Sequence, residues 1–250
     1  MWNRYLVESL SLSDASAALV STVHQQVDCC LFSVERNSAL LIPASNGQQR
    51  CWWPGDDSEY QRYHDLEWGR AVTNDVTLFE KICLEGFQSG LSWITILRKR
   101  ENFRAAFANF DHHRIAEFTD DDVSRLMADA GIVRHRGKID AVINNAHRLI
   151  ELEQENTTFA NYIWSFMPRD DANRQSISET SAPIPSTSPE SIALSRDLKK
   201  RGWKFVGPTT MYSMMQSMGL VNDHIEGCFV REECEGLRQH AIRLFSREEK

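Results

Sequence analysis

Apolar residues recur at helical spacing through most of the chain. Val123, Leu126, Met127 and Ala130 follow the i, i+3, i+4, i+7 pattern, with Thr119 placed to cap the run and Gly131 to stop it. Ile139, Val142, Ile143, Ala146 and Leu149 repeat the pattern directly afterwards. Ser188 followed by Pro189 opens a helix predicted to run to Lys200, ahead of Gly202, and Pro208 and Gly219 bracket another over TTMYSMMQSM. Residues 168–189 (PRDDANRQSISETSAPIPSTSP) are polar, carry four prolines and have no period, so they read as a loop. No segment alternates convincingly at period two. The predicted fold class is all-α.

The organisation falls into three parts. Residues 1–48 have weak periodicity and a Ser/Ala-rich start, and they close on the turn-like Pro43–Gly47, so they are expected to form an N-terminal extension. Residues 49–235 are the expected helical domain, followed by a C-terminal helical tail over 236–250. Of the 250 residues, 42% are hydrophobic and 25% charged, the balance of a soluble globular protein. No apolar run approaches the roughly 20 residues that cross a bilayer, so no membrane partner is expected. Glu8 and Asp14 interrupt the mildly apolar start, which lacks the form of a signal peptide. Six cysteines (Cys29, Cys30, Cys51, Cys83, Cys228 and Cys234) are too sparse for a secreted disulfide framework. Reduced thiols and an intracellular, cytoplasmic location are expected.

Two pairs of metal-ligating types stand out among these residues. Cys51 and His64 lie thirteen positions apart near the start of the helical region, and His224 and Cys228 lie four apart near its end. On a helix, i and i+4 share a face and can offer nitrogen and sulfur to one ion. Two Cys and two His make a closed tetrahedral set suited to structural zinc. Spacing alone leaves two readings: one shared ion that pins the ends of the domain together, or two unrelated pairs.

Four of the seven tryptophans (Trp52, Trp53, Trp68 and Trp93) fall between 52 and 93, interleaved with Tyr60 and Tyr63. Such π faces either form core or sandwich a flat heteroaromatic ring, and a cationic ring gains further from their quadrupoles. Among them, CLEGFQSGLSW (83–93) carries the single carboxylate Glu85. In the helix predicted over VTLFEKICLEGF, Phe79, Ile82, Cys83 and Gly86 form the apolar stripe, and Glu85 lies on its flank beside Leu78. A carboxylate there is costly unless paired.

The net charge of −7 argues weakly against nucleic acid, but three basic clusters fall at predicted turns or helix ends. They are Arg98–Arg100, Arg134–Lys138, and Lys199, Lys200, Arg201 with Lys204. The turn Phe205–Thr210 leads into a helix N-terminus, where free backbone N–H groups suit a phosphate.

The stretches YHDLEWG (63–69), FEKICLEGFQSGLSWITIL (79–97), KRENFRAAF (99–107), DAGIVRHRGKI (129–139), WSF (164–166), LKKRGWKFVG (198–207) and GLVNDHIEGC (219–228) resemble bacterial DNA-3-methyladenine glycosylase I, of the helix-hairpin-helix superfamily. The resemblance spans the domain from Cys51 to Cys228 and leaves the N-terminal extension outside. It implies a monofunctional enzyme without a lyase step, which hydrolyses the N-glycosidic bond of 3-methyladenine in alkylated double-stranded DNA and releases the free base. It further implies one structural zinc per chain, held by Cys51, His64, His224 and Cys228. Glu85 is the implied catalytic residue, with Tyr63, Trp53, Trp68 and Trp93 around the base. Gly90 and Leu91 match the turn that presses into the DNA, and Lys200, Lys204, Gly207 and Thr209 belong to the implied phosphate-binding hairpin. A monomer is expected.

Many glycosylases of the wider superfamily carry a catalytic aspartate where this chain has Asn222, a substitution shared by the 3-methyladenine family. Asp223 is adjacent, but its side chain is expected to point elsewhere. The competing reading is a catalytically silent DNA- or nucleobase-binding module on the same scaffold.

Overall fold

The computed structural model describes residues 40–45, 47–168 and 185–246. Most of the extension expected over 1–48 and of the loop expected over 168–189 lies outside the described residues. The body opens with an antiparallel hairpin, β1 (Leu41–Pro43) and β2 (Gln49–Cys51), in which Leu41 pairs with Cys51 and Pro43 with Gln49. The body is mostly helical, as expected, and this small two-stranded sheet is added to it. Strands of three residues are too short to display the alternation by which a strand is recognised. The hairpin continues across 48–49, the expected start of the domain.

Helices make up the rest: α1 (Ser58–Leu66), α2 (Asp75–Gln88), α3 (Trp93–Arg98), α4 (Arg100–Ala106), a 3₁₀ turn at Ala108–Phe110, α5 (His112–Ala116), α6 (Asp120–Ala128) and α7 (Arg136–Glu153). They are followed by α8 (Phe159–Trp164), α9 (Pro189–Lys200), α10 (Pro208–Ser217) and α11 (Arg231–Phe245). The last helix runs unbroken through 235–236, where a tail was expected to begin. Among the described residues no helix is long and apolar enough to cross a membrane.

Local chemistry sets the helix starts. The Asp122 carboxylate accepts from both the N–H and the hydroxyl of Thr119 at the head of α6. Ser188 and Ser191 cap α9 reciprocally, each side chain accepting from the other's N–H. Asp75, in the first turn of α2, accepts from the N–H groups of Phe159 and Ala160 and so joins that turn to the start of α8.

The core is organised around α2. Leu78, Phe79, Lys81, Ile82, Cys83, Leu84, Glu85, Gly86 and Phe87 are all buried, so from its second turn onward only Glu80 and Gln88 of this helix reach solvent. Phe87 opens an aromatic run through Phe103, Phe107 and Phe110. Helix α10 packs along another side of α2, and the turn between α9 and α10 reaches Gly86. A Cβ at Gly86 would lie 3.2 Å from the Cβ of Phe205, so this glycine permits the close approach of the turn to α2.

Candidate functional site

The two ends of the described body meet at a buried cluster. Cys51 at the end of β2, His64 on α1, and His224 and Cys228 between α10 and α11 place their donor atoms within 4.8 Å of one another. Cys51 Sγ lies 3.7 Å from His224 Nδ1, and Cys228 Sγ lies 3.5 Å from His64 Nε2 and 3.6 Å from His224 Nδ1. Sulfur and nitrogen bound tetrahedrally to one zinc are about 3.5 Å apart, from the usual bond lengths. The ring nitrogens facing away from the cluster are held: His64 Nδ1 by Asp65 at 2.8 Å, and His224 Nε2 by the Trp68 carbonyl at 3.1 Å. That arrangement turns the remaining nitrogen of each ring inward. As two bare thiols the cysteines share a hydrogen bond that pulls the Cys228 pKa well below its ordinary value and pushes that of Cys51 up. The donor set fits a closed metal site.

The route to this cluster differs from the one suggested by spacing. His224 and Cys228 do not lie on a helix. The segment turns at Glu226–Gly227, where the Cys228 N–H bonds the Ile225 carbonyl, and Gly227 has φ +88°. The Phe229 N–H bonds the Gln49 carbonyl and lays the segment against β2.

A line of aromatic rings leads from the cluster to Glu85. Trp68 meets His224 edge to face at 4.6 Å, Trp53 lies 5.1 Å from Trp68 and 6.5 Å from Tyr63, and Tyr63 lies 5.5 Å from Trp93. Tyr63 and Trp93 are buried, whereas Trp53 and Trp68 are half-buried. Glu85 is 5% exposed and pairs with the Lys81 ammonium at 2.9 Å. Lys81 also donates to the Tyr63 hydroxyl at 2.9 Å and sits 3.3 Å from the centroid of the Trp93 ring. Burial pushes the Glu85 pKa above the ordinary carboxylate value against the pull of Lys81. Burial and then the charge of Glu85 push the Tyr60 hydroxyl up to about 12. The Trp93 indole N–H is buried with no hydrogen-bond partner among the described residues.

Lys81 is the buried partner of Glu85 that spacing alone passed over. The signal was present, since Lys81 and Glu85 stand one turn apart within FEKICLE, the arrangement in which opposite charges meet on a helix.

Beyond the pocket, α2 ends in an exposed turn containing Gly90, with φ +81°, and Leu91, which is 42% exposed. Lys138 is buried and donates to the carbonyls of Phe87 and Ser89, which holds this turn. The turn between α9 and α10 is held by α7: Asn145 donates to the Lys204 carbonyl and accepts from its N–H, and Asn144 donates to the Gly202 carbonyl. Lys200, Lys204 and Thr209 are exposed there, and no side chain caps α10 at Gly207.

Of the other basic clusters, Arg98 pairs with Asp57, Arg100 with Glu67, and Lys99 donates to the carbonyls of Ala130 and Gly131. In the second cluster Arg134 is exposed, while Arg136 pairs with Asp140.

Asn222 donates to the Arg231 carbonyl and to Glu235, and accepts from the His224 N–H. Asp223 is buried and accepts from Tyr212 and Gln216 of α10. Both residues serve the segment that carries the cluster.

A family model described as methyladenine glycosylase matches residues 53–232. DNA-3-methyladenine glycosylase 1 of Escherichia coli (strain K12) is 51% identical over 180 residues, which cover 72% of this chain and 95% of that protein. A crystal structure of 3-methyladenine DNA glycosylase I is 52% identical, with a TM-score of 0.66 over 72% of this chain and 98% of that one. A tyrosine-to-phenylalanine variant of 3-methyladenine DNA glycosylase I, solved in complex with 3-methyladenine, is 34% identical, with a TM-score of 0.67 over 73% of this chain and 97% of that one. The chain belongs to the methyladenine glycosylase family, the family of the DNA-3-methyladenine glycosylases I.

Proposed function

We propose that the chain extrudes 3-methyladenine from double-stranded DNA into the pocket bounded by Trp53, Tyr63, Trp68 and Trp93, where Glu85 accepts from the amino edge of the base. The activity follows from the family: the chain is a DNA-3-methyladenine glycosylase, a hydrolase of the N-glycosidic bond that acts in DNA repair. The assignment of the pocket rests on one observation above all, a carboxylate set among aromatic rings within a run of buried residues on α2. The unpartnered Trp93 N–H supports it, because it offers a donor to a ligand at the same place.

Methylation at N3 makes the adenine cationic, so its glycosidic bond is already weak and needs no protonation of the leaving group. Catalysis then consists of extruding the nucleotide and holding the departing base better than the intact nucleotide. A damaged, poorly stacked base costs less to extrude, which adds selectivity. Gly90 and Leu91 fill the gap left in the duplex. Lys200, Lys204, Gly207 and Thr209 hold phosphates at the uncapped start of α10. The helix–turn–helix formed by α9 and α10 is the hairpin of the helix-hairpin-helix superfamily.

One zinc per chain, held by Cys51, His64, His224 and Cys228, supplies structural pinning and takes no part in bond cleavage. None of the described cysteines forms a disulfide, in keeping with a repair enzyme of the reducing cytoplasm, and the enzyme is read as a monomer.

The test is a direct assay of base release from methylated duplex DNA. Glu85→Gln and Glu85→Ala are expected to slow release at least about a hundredfold, a range in keeping with loss of a transition-state interaction, while fold and metal content persist. Release by either variant at the wild-type rate would make Glu85 a structural residue. A folded wild-type protein that binds methylated DNA but releases no base would instead establish the silent binding module.

A further inference from the structure

Lys81 has no part in the activity as described so far, yet it stands at the centre of the pocket. Its side chain is buried, one turn before Glu85 on α2. Three groups surround its ammonium: the Glu85 carboxylate at 2.9 Å, the Tyr63 hydroxyl at 2.9 Å and the face of Trp93 at 3.3 Å. Three groups assigned to the base site are therefore gathered around one positive charge.

We propose that Lys81 is a positioning residue for base recognition, which keeps Glu85 ionised and aimed so that its carboxylate can accept from the exocyclic amine of the base. The inference deepens the assignment of Glu85 made above and rests on it. An ionised carboxylate accepts about twice as strongly as a neutral group, and a protonated one presents a competing donor. Burial works against ionisation at this depth, and the adjacent ammonium opposes burial directly.

The neighbouring elements supply no substitute charge. From α1, Tyr60 and Tyr63 face the pair, and burial holds both hydroxyls in their neutral form. Arg100 of α4 acts on Lys81 through space, but its guanidinium is paired with Glu67, just beyond α1. Lys138 of α7 is engaged by the carbonyls of Phe87 and Ser89. Trp93 of α3 contributes a π face, which favours the Lys81 cation and carries no charge of its own.

The experiment follows base release and binding of free 3-methyladenine, read by tryptophan fluorescence, across the acid-to-neutral range. Lys81→Met keeps the length of the stem and removes the charge. Its acid limb, below which release and binding fail, is expected to move up by about one pH unit or more, in line with loss of an adjacent opposite charge. Lys81→Arg, which retains the charge, is expected to bring the limb back toward its wild-type position. Lys81→Gln keeps donors without charge, is expected to shift the limb as Met does, and serves if the Met variant does not fold.

A uniform loss of rate with the acid limb unmoved in both uncharged variants would make Lys81 a packing residue and overturn the proposal. Wild-type excision by Glu85→Gln would overturn the pocket assignment itself, a separate outcome. The two failures are therefore distinguishable.

Discussion

Gly69 lies directly against His224. A Cβ added there would come within 2.7 Å of the His224 Nε2, and the residue already has φ +81°. Gly69→Ala therefore both strains the backbone and displaces a ring of the Cys/His cluster. It is expected to destabilise the fold by about 2 kcal/mol and to lower metal content, read by thermal unfolding and atomic emission. Asp65 gives a gentler test, since its carboxylate fixes the His64 ring from behind. Asp65→Asn is expected to weaken metal affinity by about 10–100-fold, the usual effect of losing such a support, measured by chelator competition. Glu85 was recognisable in sequence as an awkward residue. The depth of its burial was not, because the flank of an apolar stripe becomes core only when a helix is covered on every side.

At the scale of elements, the α9–α10 turn is tethered to α7 by the Asn145 side chain, which bonds both the N–H and the carbonyl of Lys204. Asn145→Ala leaves that N–H and carbonyl without their partner. It is expected to cost about 1–3 kcal/mol in stability, to speed amide exchange in the turn and to weaken DNA binding. Binding of the free base is expected to be unaffected. Lys204→Ala and Lys200→Ala are each expected to lower the salt slope of DNA affinity by about one, measured by titration over a range of salt concentrations. Helix α7 was legible from its periodicity, α6 from periodicity and a cap, and α9 and α10 from their boundaries: Thr119, Ser188, Pro189 and Pro208 stand where α6, α9 and α10 begin. The hairpin was not legible, because three-residue strands carry no period. The i, i+4 spacing of His224 and Cys228 suggested a helix, whereas a glycine turn brings them together.

At the scale of the molecule, the net charge of −7 conceals a division of labour among the basic residues. Arg98 and Arg100 are neutralised by Asp57 and Glu67, while Lys199, Lys200 and Lys204 stand exposed at one turn. A sum over the chain cannot register that separation, which arises only when distant carboxylates fold against particular arginines. The pooled cysteine and histidine donors make a prediction at this scale too. Purified protein is expected to carry about one zinc per chain, the complement of a closed four-ligand site. His224→Ala or a strong chelator is expected to remove it and lower the unfolding temperature. A folded, active protein that never contained metal would end the zinc assignment.

The meeting of Cys51 with His224, 173 positions later, also has a consequence for the order of biosynthesis. When β2 and α1 leave the ribosome, they bring only a cysteine and a histidine, half of the donor set. The other half is not made until α10 has been completed. Closing so long a loop costs entropy, and a metal held by the four residues, as proposed above, would offset it only once Cys228 is in place. The cluster is therefore complete only in a chain translated past Cys228. A chain that stops short of Cys228 carries the pocket helix and its aromatic walls, but lacks the means to hold an ion with all four ligands.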